Sequence, residues 1–146
     1  MARLQPVQVV FDCADPARIG SFWADLLGYE VQSPPAGFAD WPSFLRAQNV
    51  PEEDWNSAFA IIDPNGHGPR IYFQRVPEPK VVKNRVHLDV NVSEGRQVPL
   101  EKRIEQVAEA VDRAVGLGAT TVQRYDERGE HHVVMRDPEG NEFCLQ

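Results

Sequence analysis

Along this chain an alternating apolar pattern gives way to helical spacing and then returns to alternation, and the whole sequence of patterns occurs twice. Residues 7–13 (VQVVFDC) are rich in β-branched and aromatic side chains and predict a strand. Asp15-Pro16 predicts a helix start, because Asp accepts from unpaired amides at the N-cap and Pro is pre-set for the first helical position. Ile19, Phe22, Trp23, Leu26 and Leu27 then form one apolar helical stripe, and Gly28 is a natural stop. A short strand is expected at Tyr29–Gln32, and two longer ones at 57–62 and 70–76, joined by the turn Asp63-Pro64-Asn65-Gly66. Residues 33–56 are expected to be irregular, interrupted by Pro34, Pro35, Pro42 and Pro51. They still carry Phe38, Trp41, Phe44, Leu45 and Trp55, so the segment should pack down on something.

Residues 77–84 read as a linker, after which the plan restarts. A strand is expected at 86–92 (VHLDVNV). A helix follows at 100–115 with Ile104, Val107, Ala108, Val111 and Val115 on one face, stopping at Gly116 or Gly118. Strands near 120–124 and 131–136, the turn Asp137-Pro138-Glu139-Gly140 and a last strand at 142–146 complete it. Both hairpins turn at Asp-Pro-x-Gly. Gln8 lies seven residues before Asp15, as His87 lies seven before Glu94. One such turn is commonplace; two in matching places of matching elements indicate duplication.

Composition changes this picture little. A chain of 146 residues suits a single domain spanning 1–146. The net charge of -7 argues against a nucleic-acid partner, which needs clustered Lys and Arg. No apolar run is long enough to span a membrane, and the N-terminus lacks a secretory signal pattern, so a cytoplasmic setting is expected. Two distant cysteines, Cys13 and Cys144, make no disulfide framework, and a single bridge between them stays open.

The segments DCADPARIGSFWADLLGYEV (12–31), NRVHLDV (84–90) and RDPEGNEFCL (136–145) resemble the vicinal-oxygen-chelate, or glyoxalase/bleomycin-resistance/dioxygenase, superfamily, and within it the glyoxalase-like domain subgroup. The resemblance implies an α+β fold of two βαβββ modules, about 6–79 and 80–146, whose sheets curl around a cavity with the helices packed outside. It also implies a homodimer acting on a small molecule. Its metal site takes one side chain from the first and last strand of each module. On this chain those positions are Gln8, Gln74, His87 and Cys144. His87 fits and Gln8 is tolerated, but the usual glutamates are missing at Gln74 and Cys144. A hard divalent cation wants anionic oxygen, so the expectation is no cofactor, with zinc, nickel, manganese or iron as the alternative.

Strand parity points to the same face independently. Gln8, Val10 and Asp12 oppose Val9, Phe11 and Cys13; His87, Asp89 and Asn91 oppose Leu88, Val90 and Val92. The apolar sets should meet the helices and the polar sets the cavity, together with Tyr72, Gln74, Glu142, Cys144 and Gln146. The catalytic candidates are therefore His87, Asp89 and Asp12, in proton transfer. Against this, Asp12 and Asp89 recur in both halves and would equally serve the scaffold through Asn84, Arg85 or backbone amides, and His87 would be a hydrogen-bonded structural histidine. Arg85 is a candidate for an anionic ligand group, and Trp41, Phe44, Trp55 and Tyr72, with Gln74, for a ligand-binding wall whose alternative is core packing. Trp23 belongs to the helix stripe, Cys144 reads as a small buried hydrophobe, and His67 should face solvent. His131 and His132 point to opposite sides, with one able to enter the pocket.

Three functions follow. The leading one is a small-molecule-binding protein of the glyoxalase/bleomycin-resistance type without the usual divalent metal. The second is a lyase or isomerase using metal at the four positions or His87/Asp acid–base chemistry. The third is a regulatory or interaction module with a vestigial pocket. An extradiol dioxygenase is disfavoured, since the four positions lack two His and a carboxylate.

Overall fold

The structure is a computed structural model and describes residues 3–146. The chain forms two compact units, one ending at Pro79 and the other comprising Lys80–Gln146.

In the first unit, β1 (Val9–Cys13) leads into α1 (Pro16–Leu27), β2 (Glu30–Val31), α2 (Trp41–Ala47), β3 (Ala58–Ile62) and β4 (Ile71–Arg75). The sheet order is β1-β4-β3-β2, with β1 and β4 parallel and the other pairs antiparallel. Asp15 caps α1 through Arg18 N (3.2 Å), and Asn56 braces that cap by donating to Asp15 (2.7 Å) and accepting from Ala17 N (2.9 Å). Gly28 ends the helix at φ 71°, a left-handed conformation that suits glycine. The α1 stripe packs on one sheet face: Phe11 lies 5.2 Å from both the Trp23 and Phe73 rings, and Trp23 is 1% exposed. Contact is close enough at Gly20 that a Cβ there would sit 2.2 Å from the Phe59 ring.

The second unit repeats the plan: β5 (Asp89–Val90), α3 (Leu100–Gly116), β6 (Thr120–Glu127), β7 (Glu130–Arg136) and β8 (Glu142–Leu145), ordered β5-β8-β7-β6 with β5 and β8 parallel. Each unit is thus a βαβββ module with an open four-stranded mixed sheet, and the class is α+β. The two Asp-Pro-x-Gly turns are built alike. Asp63 accepts from the amides of Asn65, His67 and Gly68 (2.8, 3.0 and 2.7 Å), and Asp137 from those of Glu139 and Asn141 (3.0 and 2.9 Å). The Gly68 amide leads the bonds that hold the Asp63 carboxyl below its usual range.

Several expectations need correction. Residues 33–56 contain a helix, α2, which tolerates Pro42 because its missing amide falls in the first turn; Asp40 caps it through Ser43 N (2.8 Å). The strand expected at 86–92 shrinks to Asp89–Val90, although Leu88 O still accepts from Cys144 N (3.0 Å) and Val92 N donates to Gln146 O (2.8 Å). The β6–β7 hairpin is longer than expected, since Arg128 and Gly129 (φ 54° and 76°) make a tight turn between Glu127 and Glu130. Ala114, not Val115, completes the α3 stripe, and Val115 is exposed. Glu94 bonds Lys102 and Gln106 in α3 (2.7 and 2.5 Å), contacts that lower its pKa, Lys102 first. Cys13 and Cys144 form no disulfide.

Candidate functional site

Register places the functional side chains, because residues opposite one another on neighbouring strands share a face. In the first module α1 covers the face of Phe11, Ile61, Ile71 and Phe73. The opposite face carries three rows. Gln8 lies across from Arg70, one step before the Val9–Ile71 pair. Val10, Tyr72, Ala60 and Gln32 form the next row, and Asp12, Gln74 and Ala58 the third. Val10 is 48% exposed on this face.

In the second module the corresponding face carries His87, then Asp89 beside Cys144, then Asn91 beside Gln146. The modules align by these rows. Gln74 donates to Asp12 (2.8 Å) just as Gln146 donates to Asn91 (3.0 Å), so Asp12 matches Asn91 and Gln74 matches Gln146. Two expectations are thereby corrected. Asp12 and Asp89 are not equivalent, since the counterpart of Asp89 is Val10. The first-module counterpart of Cys144 is Tyr72, not Gln74, because the first turn has a longer loop: Tyr72 comes nine residues after Asp63, Cys144 seven after Asp137.

The first-module face is organised by Arg70. Its Nε donates to Gln32 Oε1 (2.7 Å), its Nη1 to Gln8 Oε1 (2.6 Å), and its guanidinium lies 5.3 Å from the Tyr72 ring centre. Arg70 was not among the sequence candidates, although it shares parity with Tyr72 and Gln74; the signal was present. The aromatic candidates do not form one wall. Trp41 and Phe44 form a cluster with Phe38 (edge contacts of 5.7 and 5.2 Å), anchored to the edge strand by Trp41 Nε1 donating to Gln32 O (2.7 Å). Trp55 instead bonds Val50 O (3.0 Å) under Arg46, within the α2 insertion, and Tyr72 stands on the sheet.

In the second module the donor atoms of His87, Asp89 and Cys144 lie within 4.8 Å of one another. His87 Nε2 is 3.3 Å from Asp89 Oδ1, with side chains 42% and 47% exposed, while Cys144 is 7% exposed. Burial, then the Asp89 charge and hydrogen bond, push the Cys144 thiol up to about 11, so at neutral pH it is a protonated donor to the carboxylate and a poor nucleophile. Glu142, buried beside them, accepts from Asn84 N (2.9 Å) and pairs with Lys80 (3.3 Å). Burial alone would raise its carboxyl; the Asn84 amide and Lys80 outweigh that and hold it low. The scaffold role suggested for Asp12 and Asp89 through Asn84 and Arg85 is therefore misplaced: Asn84 serves Glu142, and Arg85 has no hydrogen bond or ion pair among the described residues.

His131 and His132 do face opposite sides. The His131 side chain is 2% exposed with Nδ1 2.5 Å from Asp126, whereas His132 stacks on Tyr125 (5.0 Å). Both line a separate cleft of about 440 Å³ where Glu130 bridges Arg96 and Arg103.

The four-position metal site was tested against these contacts, and the first module does not fit it. Gln74 lies four residues along the paired strand from the Gln8 row, about 13 Å by strand rise, and Tyr72, which holds the position matching Cys144, brings no carboxylate. Gln8 Oε1, the atom that would face the ion, already accepts from a guanidinium, whose charge repels a divalent cation. The second module offers sulfur, nitrogen and oxygen donors suited to a softer ion such as zinc.

Two βαβββ modules with open polar sheet faces define the class of the vicinal-oxygen-chelate superfamily. Residues 8–146 match the family described as Glyoxalase-like domain, and the chain belongs to that family. No curated protein matches the chain. Among solved structures it is similar to a glyoxalase/bleomycin resistance protein/dioxygenase family enzyme from Burkholderia phytofirmans PsJN (TM-score 0.61, 16% identity, 94% of each chain covered). It is also similar to the fosfomycin resistance protein FosX of Listeria monocytogenes (TM-score 0.63, 11% identity, 99% of this chain and 93% of that one). A mutant of the Listeria protein, with Mn(II) and 1S,2S-dihydroxypropylphosphonic acid, matches at TM-score 0.62 and 10% identity, over 99% and 92% of the two chains. At these identities the likeness establishes the fold.

Proposed function

We propose that this chain, as a single domain, binds a small molecule on its open sheet faces without the four-ligand divalent metal site of its superfamily. One observation carries the reading: Arg70 occupies the Gln8 amide oxygen at 2.6 Å, so a fixed cation stands where the first module would have to supply a metal ligand. The apolar row of Val10, Tyr72 and Ala60 beside it gives a ligand a surface to cover. The same reading takes the protein as a cytoplasmic homodimer, on the family resemblance and on two cysteines that form no disulfide. The test is a thermal-shift screen of aromatic and natural-product-like compounds, with each hit assayed for consumption. The expected result is saturable stabilisation by at least one compound recovered unchanged; catalytic consumption at one site would overturn it.

A second reading is favoured by the His87, Asp89 and Cys144 group: a lyase or isomerase centred on the second module. A bound zinc ion would supply Lewis-acid polarisation of a substrate oxygen. Without one, Asp89 orients His87, whose exposed ring exchanges a proton with substrate.

A further inference from the structure

We infer that Arg70 is the anion-binding subsite of the first-module face, and that the ligand it takes is a carboxylate on a flat apolar body. The inference deepens the binding reading above and rests on it. A guanidinium has five N–H donors in a planar fork. Two are engaged, Nε–H by Gln32 and one Nη1–H by Gln8, and the remaining three find no acceptor among the described residues. Among the described residues no carboxylate pairs with Arg70, unlike Arg75, Arg96 and Arg103, each of which has one.

The two glutamines neutralise nothing, because both are uncharged acceptors. They fix the plane of the guanidinium from two sides, and the Tyr72 ring supports it from a third. The side chain is half-buried, so its charge is screened less than that of a surface arginine. A rigid, uncompensated cation with free N–H groups is a preorganised receptor for both oxygens of a carboxylate, since the ordering cost of the arginine is met before the ligand arrives.

The neighbouring row sets the rest of the ligand. Ala58 and Ala60 are two of the three β3 residues on this face, and beside Tyr72 and Val10 they leave a floor of small side chains that Ile62 closes off next to Arg70. Gln32 ties the arginine to the edge where Trp41 is anchored. A planar apolar group fits that floor with its carboxylate toward Arg70.

The experiment is an NMR titration of the ¹⁵N-labelled full chain with benzoate and, separately, with its neutral isostere benzamide. Benzoate should shift the amides of Ala60, Arg70 and Tyr72 saturably and bind at least tenfold more tightly than benzamide. Arg70→Gln should lower benzoate affinity to the benzamide level while leaving benzamide unchanged. Should Arg70→Gln lose its fold by circular dichroism, Arg70→Lys keeps the charge without the planar fork and should weaken benzoate at least threefold. Equal affinity for the two probes, or benzoate binding unaltered in the folded variant, overturns the anion assignment and leaves the binding reading standing. If neither probe perturbs this face the assignment fails too, and the compound screen alone decides the binding reading.

Discussion

The two modules share a backbone plan and differ in what they place at the same three positions. Where the second module presents His87, Asp89 and Cys144, the first presents Gln8, Val10 and Tyr72. Beside them, Arg70 stands one row ahead of Tyr72 on its strand as Glu142 stands ahead of Cys144. One face is therefore cationic and apolar, the other acidic and rich in donor atoms. The features that agree between modules are those the fold needs: the sheet order, the Asp-Pro-x-Gly turn, and a Gln bridging to the neighbouring parallel strand. Those that differ lie on the face no helix of their own module covers, where folding imposes little and ligand chemistry can choose.

If the scaffold positions are truly equivalent, truncating matched core residues should have matched effects, and this is the largest effect expected. Phe73 and Leu145 occupy the same place on β4 and β8, and both are fully buried. Phe73→Ala should cost about 3–5 kcal/mol and Leu145→Ala about 2–5 kcal/mol, read from chemical denaturation. A nearly neutral result at either position would break the equivalence. A smaller effect separates the modules. The Cys144 thiol titrates higher in the folded chain, about 11 against an ordinary 9.0, so the folded state holds its proton more tightly. That contribution is present below pH 9 and is lost as pH rises toward 11. Stability measured across that range should fall in the wild type, and the fall should be shallower in Cys144→Ala. Parallel curves would show that the buried Cys144 thiol has no such role.

Much of this was legible in the sequence. The α1 and α3 stripes, the two matched turns and the parity of β1, β4 and β8 each depend on residues close together in the chain, where spacing alone sets which side chains meet. Asp40-Trp41-Pro42-Ser43 was misread because Pro was weighed as an interruption, when in a first turn behind an Asp cap it starts a helix. The site was harder. Arg70 reaches Gln8 across 62 residues, and only the parallel register of β1 with β4 brings them together. The same register is needed to see that Tyr72, not Gln74, matches Cys144, because two extra turn residues shift the count without moving the strand.

The central claim is that the first module contributes no metal ligand. Elemental analysis of the wild type, Gln8→Ala and His87→Ala, each loaded with zinc, nickel, manganese or iron and then dialysed, tests it most directly. The account predicts that Gln8→Ala retains the same metal as the wild type under every loading, whether that is none or zinc lost only in His87→Ala. Near-stoichiometric metal in the wild type that disappears in Gln8→Ala as well as in His87→Ala would contradict it, since Gln8 would then have released Arg70 to bind the ion.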